Sequence, residues 1–118
     1  MRLLLVMLVA CGSGHPPTPG EIVERGWDAH EAVIAAGEHA ATCADAGAAM
    51  QRELRDRRPA LAAAIAIDRD PDQLAKLVDF LESHQDRLDE LARRTDAVRT
   101  RCPDDAGVVT ALRDLAVP

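Results

Sequence analysis

Two long stretches of the chain place apolar or small residues at alternating steps of four and three, the spacing of one face of an α-helix. The first stretch runs from about residue 21 to 57 and the second from about residue 71 to 101. The face of the first contains no charged residue: Ile22, Gly26, Ala29, Val33, Ala36, Ala40, Cys43, Gly47, Met50 and Leu54. The face of the second is richer in leucine: Leu74, Leu77, Leu81, His84, Leu88, Leu91, Thr95, Val98 and Cys102.

Prolines divide the rest of the chain into shorter elements. Pro59 ends or breaks the first helix and can begin another, so the apolar residues 59–67 predict a short buried helix. After a turn, Asp70 is placed to cap the second long helix, and Pro103 stops that helix. The acidic residues after Pro103 resemble a fresh helix start, and the apolar positions beyond them predict a C-terminal helix.

These elements together predict an all-α fold for residues 21–118. We expect an elongated antiparallel helical bundle of two long helices plus one short and one C-terminal helix. A helix of about 30 residues is about 45 Å long, which makes such a bundle elongated.

Composition excludes several classes of function. The 118 residues include 20 acidic and 14 basic side chains, for a formal net charge of −6, so nucleic acid would be repelled. Trp27 and Phe80 are the only large aromatic residues, which argues against base-stacking platforms and aromatic-lined ligand pockets.

The N-terminus has the pattern of a secretory signal. Arg2 precedes an apolar run that is too short to span a bilayer, and the run ends in Leu8-Val9-Ala10-Cys11. This pattern resembles the lipobox of bacterial lipoproteins. The resemblance covers residues 1–11 and implies that residues 1–10 are a signal peptide. It further implies that Cys11 carries a thioether-linked diacylglycerol, with a further acyl chain such as palmitate on its amine.

Residues 11–20 then form the lipidated cysteine and a flexible Gly/Pro-rich tether. The resemblance implies that the protein is anchored in the lipid bilayer through acylated Cys11. Its location would be the cell membrane or outer membrane, on the side that faces the periplasm or exterior. Gly12 rather than aspartate after Cys11 implies the outer membrane under the enteric sorting scheme.

If Cys11 is lipidated, Cys43 and Cys102 remain as an even pair in an oxidising compartment, where disulfides persist. Both lie on predicted apolar helix faces, so we expect a structural disulfide worth about 3–4 kcal/mol. Buried free thiols are one alternative. A redox-active pair is another, but the chain has no CxxC arrangement, and a helix C-terminus beside Cys102 would oppose a thiolate.

Four histidines raise the question of a metal or haem site: His15, His30, His39 and His84. His15 lies in the tether, and His30 and His39, nine positions apart, point to opposite sides of their helix. His84 lies on the second apolar face. The pattern lacks HExxH, CxxCH and Glu-x-x-His spacing, so we predict no metal site and interpret the histidines as exposed or as satisfied within the bundle.

Trp27 has two possible roles. It lies beside the apolar face near the start of the first long helix, where it can cover an end of the bundle. It can instead anchor a partner, because exposed tryptophans are frequent hot spots.

No pattern of a nucleophile with its base, a phosphate loop or paired carboxylates indicates catalysis, so we predict no catalytic residues and no cofactor. The sequence predicts a membrane-tethered envelope lipoprotein of non-enzymatic, protein-binding or structural role. Its partner would be an envelope protein or a second copy of the chain. The alternative is a periplasmic carrier of a metal, haem or small ligand that uses the histidines of the bundle.

Overall fold

The computed structural model describes residues 15–116, which are 83% helical and contain seven helices and no strand. The all-α fold class is thereby confirmed. Residues 1–14, which include the predicted signal peptide and Cys11, lie outside the described residues, as do residues 117 and 118. The helices are α1 (Pro19–His39), α2 (Cys43–Asp56), α3 (Arg58–Asp68), α4 (Pro71–Ala75), α5 (Val78–Ser83), α6 (Gln85–Arg101) and α7 (Ala106–Ala116).

Helix α1 begins with a reciprocal cap. The Thr18 hydroxyl accepts a hydrogen bond from the Glu21 backbone N–H at 3.2 Å, and the Glu21 carboxylate accepts one from the Thr18 backbone N–H at 2.9 Å. Pro19 occupies the first turn, where its missing N–H costs nothing. The bonds from Thr18 lower the pKa of the Glu21 carboxyl.

The first predicted long helix is two helices that form a hairpin. Ala40 adopts an extended conformation at the end of α1, and the Thr42 hydroxyl caps α2 by accepting from the Asp45 backbone N–H at 3.1 Å. Because only three residues connect them, α1 and α2 pack side by side in antiparallel directions. Gly37 lies against Met50 at this contact.

The second predicted long helix is divided into α4, α5 and α6. Asp70 caps α4, as the sequence predicts, by accepting hydrogen bonds from the backbone N–H groups of Asp72 and Gln73. The interruptions are short: residues 76 and 77 before α5, and His84 before α6.

Helix α6 lies beside α1 and runs in the same direction, whereas α1 and α2 are antiparallel. The Arg87 guanidinium, near the start of α6, bonds the carboxylate of Asp28, in the middle of α1, at 2.6 Å. Near their ends, Arg101 donates to the carbonyl oxygens of Gly37 and Ala40 at 3.0 and 2.6 Å. The Gly37 carbonyl lies in the last turn of α1 and that of Ala40 at its C-terminal cap, where backbone carbonyls have no partner within the helix, so Arg101 satisfies both.

The core lies between α1, α2, α6 and α7 and reaches the disulfide pair. Its buried members are Val33, Ile34, Ala46, Met50, Leu54, Val98, Cys102, Val108, Ala111 and Leu112. Small residues let helices approach closely: a Cβ atom on Gly47 would lie 3.0 Å from Gly107 Cα in α7. A Cβ atom on Gly26 would overlap Ala64 Cβ in α3.

The burial of helix α3 differs from the prediction made from the sequence. The sequence predicts a buried helix over residues 59–67, but only Ile67 of α3 is buried. Ala62, Ala63 and Ala66 are exposed. One side of α3 packs on α1, and the exposed alanines lie on the other side.

Candidate functional site

Trp27 lies in a cluster of rings at the end of the bundle where α1 begins. Its indole stacks on Phe80 of α5, with ring centroids 5.7 Å apart and planes inclined by 14°. The His84 ring lies 5.5 Å from the indole, and the Arg87 guanidinium carbon lies 5.5 Å from the indole centroid, within cation–π range. Trp27 is half-buried by these contacts, which favour its role as a cover for one end of the bundle.

His84 is satisfied within the same cluster. Its Nδ1 donates a hydrogen bond to the Phe80 carbonyl oxygen at 2.7 Å, and its ring centroid lies 4.3 Å from that of Phe80. The position matches the sequence interpretation of a histidine that is satisfied on the second apolar face. The Nδ1 atom of His84, which carries the proton, therefore already bonds a backbone carbonyl four residues earlier in the chain.

His30, one turn after Trp27, faces α6 and is half-buried. The Thr95 hydroxyl donates its one proton to the Leu91 carbonyl oxygen at 2.7 Å. The contact between His30 Nε2 and Thr95 Oγ1, at 3.2 Å, therefore has the imidazole as donor. Burial lowers the pKa of His30, which favours the neutral ring with Nδ1 left as an acceptor.

A cavity of about 420 Å³ opens beside Trp27 and His30. Helices α1, α3, α6 and α7 line it together with the segment that contains α4 and α5. Six leucines dominate its wall: Leu61, Leu74, Leu77, Leu81, Leu88 and Leu115. Only Leu77 of the six is buried, and the other five are half-buried around the opening. We call it the leucine-lined cavity.

Few polar groups face the leucine-lined cavity. His30 and the exposed Asp68 are its only lining residues with ionisable side chains, and the rest of the wall is aliphatic apart from the Trp27 indole. Its volume falls within the range of about 300–1,000 Å³ that is typical of small-molecule sites. The cavity can hold an apolar group but offers little to orient a polar one.

A second depression, of about 630 Å³, lies on the other side of α3. It is lined partly by charged side chains, those of Arg58, Arg69 and Asp114, and partly by the exposed alanines of α3. Leu61 and Ile65 border both depressions. This groove is larger and more polar than the leucine-lined cavity.

Ion pairs hold α6 against α1 between the cavity and the far end of the bundle. Arg94 donates to both carboxylate oxygens of Glu38, at 3.0 and 2.6 Å. These bonds are the main reason that the pKa of Glu38 is lowered, and they raise the pKa of Arg94. The pair joins α6 to α1 one residue before Thr95, the hydrogen-bond partner of His30.

Cys43 and Cys102 lie at the opposite end of α1 from Trp27. Their Sγ atoms are 2.09 Å apart and their Cα atoms 5.6 Å apart, so the structure places the predicted pair at disulfide distance. Cys102 is buried in the core, directly after α6, and Cys43 begins α2. The link joins the end of α6 to the start of α2, beside the turn of the α1–α2 hairpin.

The histidines do not converge. His15 and His39 are exposed, whereas His30 and His84 make separate contacts in the bundle. Within residues 15–116, no group of three or more His, Cys, Asp or Glu side chains is placed to hold a metal ion.

Sequence reasoning singled out Trp27 and His84 but missed His30 as an inward-facing residue. The available signal was its place directly after Ala29, on the edge of the apolar face of α1. The leucine-lined cavity was also missed, because residues from five separate segments form it.

No helix in the described part of the chain is both long enough and apolar enough to cross a membrane. Comparisons of the chain with protein-family models, curated proteins and solved structures found no match.

Proposed function

We propose that this protein is a lipid-anchored envelope lipoprotein that acts by binding or structural support rather than by catalysis. The observation that carries the proposal is the run Leu8-Val9-Ala10-Cys11 after Arg2 and an apolar segment. Helix α1 begins at Pro19, eight positions after Cys11. An extended tether of that length reaches about 25–30 Å, so the end of the bundle that carries Trp27 would lie close to the membrane.

The exposed side of α3 supports a binding role. Ala62, Ala63 and Ala66 present small apolar side chains to solvent, next to a groove that carries both charges. Small side chains let another backbone approach closely, so this surface suits contact with a helix of an envelope protein or of a second copy.

The lipid anchor is tested by the intact mass of the protein isolated from its native membranes, with and without reduction. We expect a chain that starts at Cys11, carries acyl mass and gains two hydrogens on reduction. A Cys11→Ser variant is the matched control and should lack the acyl mass. A full-length native chain without acyl groups would contradict the proposed location in the cell envelope and make a cytosolic helical adaptor the better proposal.

The binding surface is tested by crosslinking in cells. Ala63→Arg places a long charged side chain on the exposed face of α3, and we expect it to remove crosslinked species that the native protein forms. Ala97→Arg is the control, because Ala97 is exposed on α6. Equal crosslinking of the two variants would show that α3 does not contact the partner, and sedimentation of the native protein would identify a homodimer.

A second candidate function is a small-ligand carrier, which the leucine-lined cavity favours. The metal and haem forms of this alternative depend on converging histidines, whereas His30 and His84 are engaged in separate contacts. The aliphatic wall instead favours an apolar ligand. Copurification of a small molecule with the native protein, detected by mass spectrometry of an organic extract, tests this candidate.

A further inference from the structure

The leucine-lined cavity has the chemistry of a site for a hydrocarbon chain. Its wall consists mainly of leucine, isoleucine, valine and alanine side chains, with His30 and Asp68 as the only ionisable members. An ion or a sugar would lose its hydration there without gaining partners, which is costly. An alkyl chain loses contact with water instead, which contributes about 0.8 kcal/mol for each buried methylene.

The volume of the cavity limits the size of the chain. A cavity of about 150 Å³ holds one benzene molecule, which has six carbons. By proportion, about 420 Å³ has room for roughly 17 carbons. This is the size of one fatty acyl chain rather than of a whole phospholipid.

The burial of the lining residues indicates an incomplete core. Leu74, Leu81 and Leu88 come from three different elements and are all half-buried around one opening. Full burial of a leucine side chain is worth about 1.5–3 kcal/mol relative to exposure. A ligand that covered these side chains would recover part of that stabilisation.

The cavity lies at the end of the bundle from which the tether departs. Val23, Gly26 and Trp27 line it from the first half of α1, and α1 begins at Pro19. A chain linked to Cys11, or a lipid of the membrane that holds Cys11, would therefore lie within reach of the opening. This step alone rests on the proposed lipid anchor, since the cavity itself belongs to residues 15–116.

From these observations we propose that the leucine-lined cavity binds a single fatty acyl chain. The hydrocarbon lies among the leucines of α3, α4, α5 and α6, with its head group outside the cavity in solvent. The source of the chain is either a free or membrane lipid, or the acyl group on Cys11 of the same molecule. Both sources present the same hydrocarbon to the same wall.

The fluorescence of Trp27 reports on the cavity directly, because it is the chain's one tryptophan and lines the wall. The test titrates the protein with a fatty acid that carries vicinal bromines, which quench tryptophan on contact, and with its unbrominated parent. It uses the Cys11→Ser chain, which cannot take the thioether-linked lipid, and the acylated protein from membranes. We expect saturable quenching of the Cys11→Ser chain by the brominated acid only.

The acylated protein distinguishes the two sources. Equal quenching of both proteins identifies a free or membrane lipid as the ligand. Quenching of Cys11→Ser alone shows that the protein's own acyl chain already fills the cavity. Absence of quenching in both, up to the concentration at which the fatty acid forms micelles, overturns the proposal. The Cys11→Ser result does not depend on the anchor, so failure of the two proposals can be told apart.

Two aspartate variants of α5 test the location. Leu81→Asp places a carboxylate in the wall and should raise the dissociation constant by about tenfold or more, since burying a charge beside hydrocarbon is costly. Val78→Asp is the control, because Val78 is 50% exposed on the same helix and does not line the cavity. We expect its affinity to stay within about twofold of the native value. Leu74→Asn, in α4, is the second variant should Leu81→Asp fail to fold, and equal affinity of wall and control variants would place the ligand elsewhere.

Discussion

Trp27 and Phe80, the two large aromatic residues of this chain, are stacked on each other although 53 positions separate them. The contact joins the first half of α1 to the short helix α5. Because α5 has only six residues, its position depends on such side-chain contacts more than on its own hydrogen bonds. The stack therefore holds the segment that contributes Leu77 and Leu81 to the wall of the cavity.

Replacement of Phe80 by alanine should loosen this end of the bundle. Phe80 is half-buried, so we expect a loss of about 2 kcal/mol, below the cost for a fully buried ring. The Trp27 emission maximum should move to longer wavelength as water reaches the indole. Val78→Ala, at an exposed position of α5, is the control for helix propensity. An unchanged emission spectrum in Phe80→Ala would show that the stack does not exist in solution.

The disulfide pair should account for a large part of the stability of the domain. Fifty-nine positions separate Cys43 from Cys102, so replacement of both by serine should cost about 3–4 kcal/mol under oxidising conditions. Urea unfolding of the native protein and the double variant, each with and without reductant, measures the difference. Reductant should destabilise the native protein and leave the variant unchanged. Equal stability of all four samples would show that no disulfide bond stabilises the fold.

Close approach of α1 and α3 requires a residue without a side chain at position 26. A methyl group on Gly26 would overlap Ala64, so Gly26→Ala should destabilise the protein by about 1–3 kcal/mol even though alanine favours helix by about 1 kcal/mol. Gly20→Ala is the matched control, since its Cβ would meet only the edge of the Phe80 ring, at 3.3 Å. Thermal unfolding compares the two variants, and a more stable Gly26→Ala protein would refute the close contact.

Protonation of His30 should make the free energy of unfolding depend on pH. Burial lowers the pKa of His30 below its ordinary value of 6.5 in the folded protein, whereas in the unfolded chain the ring takes up a proton near that pH. Below about pH 6.5 the unfolded state therefore binds more protons, and the free energy of unfolding should fall as the pH is lowered from 7 to 5. The stability that the neutral His30 ring contributes is fully present above pH 6.5. It is lost as the pH falls through the pKa of His30 in the folded protein, which is lower than 6.5.

His30→Gln should flatten this part of the profile, measured by urea unfolding at pH 7 and pH 5. His39→Gln is the control on the same helix, because His39 is exposed. The carboxyl pKa values that hydrogen bonds lower, those of Glu21, Glu38 and Glu90, lie below 4.5 and outside this range. A profile that is equally steep in both variants would show that His30 is not the titrating group.

Local patterns predicted helix content well and helix continuity poorly. The apolar face of the first long stretch includes Gly26, Val33, Met50 and Leu54, all of which are buried. The glycines at positions 26, 37 and 47 make a bend or break possible in this stretch, but the apolar pattern continues past His39 and does not locate the break. A local signal for its position is Thr42 followed three residues later by an acid, the arrangement of an N-terminal cap.

The second long stretch was divided for a similar reason. Interruptions of one or two residues near Leu77 and His84 hardly change the phase of the apolar pattern, so a broken helix and a continuous one have the same sequence signature. The parallel course of α1 and α6 has no local signature, because it depends on contacts such as Asp28–Arg87 and Glu38–Arg94 between distant parts of the chain. The end of α6 meets the turn of the α1–α2 hairpin through Arg101.

By itself, the sequence determined the all-α class, much of the apolar face that α1 and α2 bury, Cys43 and Cys102 as the candidate disulfide pair and the N-terminal pattern that resembles a lipobox. Helix periodicity and motif spacing are visible within short stretches of sequence, and the candidate disulfide follows from the number of cysteines and their positions on the apolar faces. Only the tertiary structure decided where the helices break, how α6 lies on α1 and that leucines from distant segments surround one cavity. A cavity depends on how imperfectly several helices fill the space between them, and no single stretch of sequence contains that information.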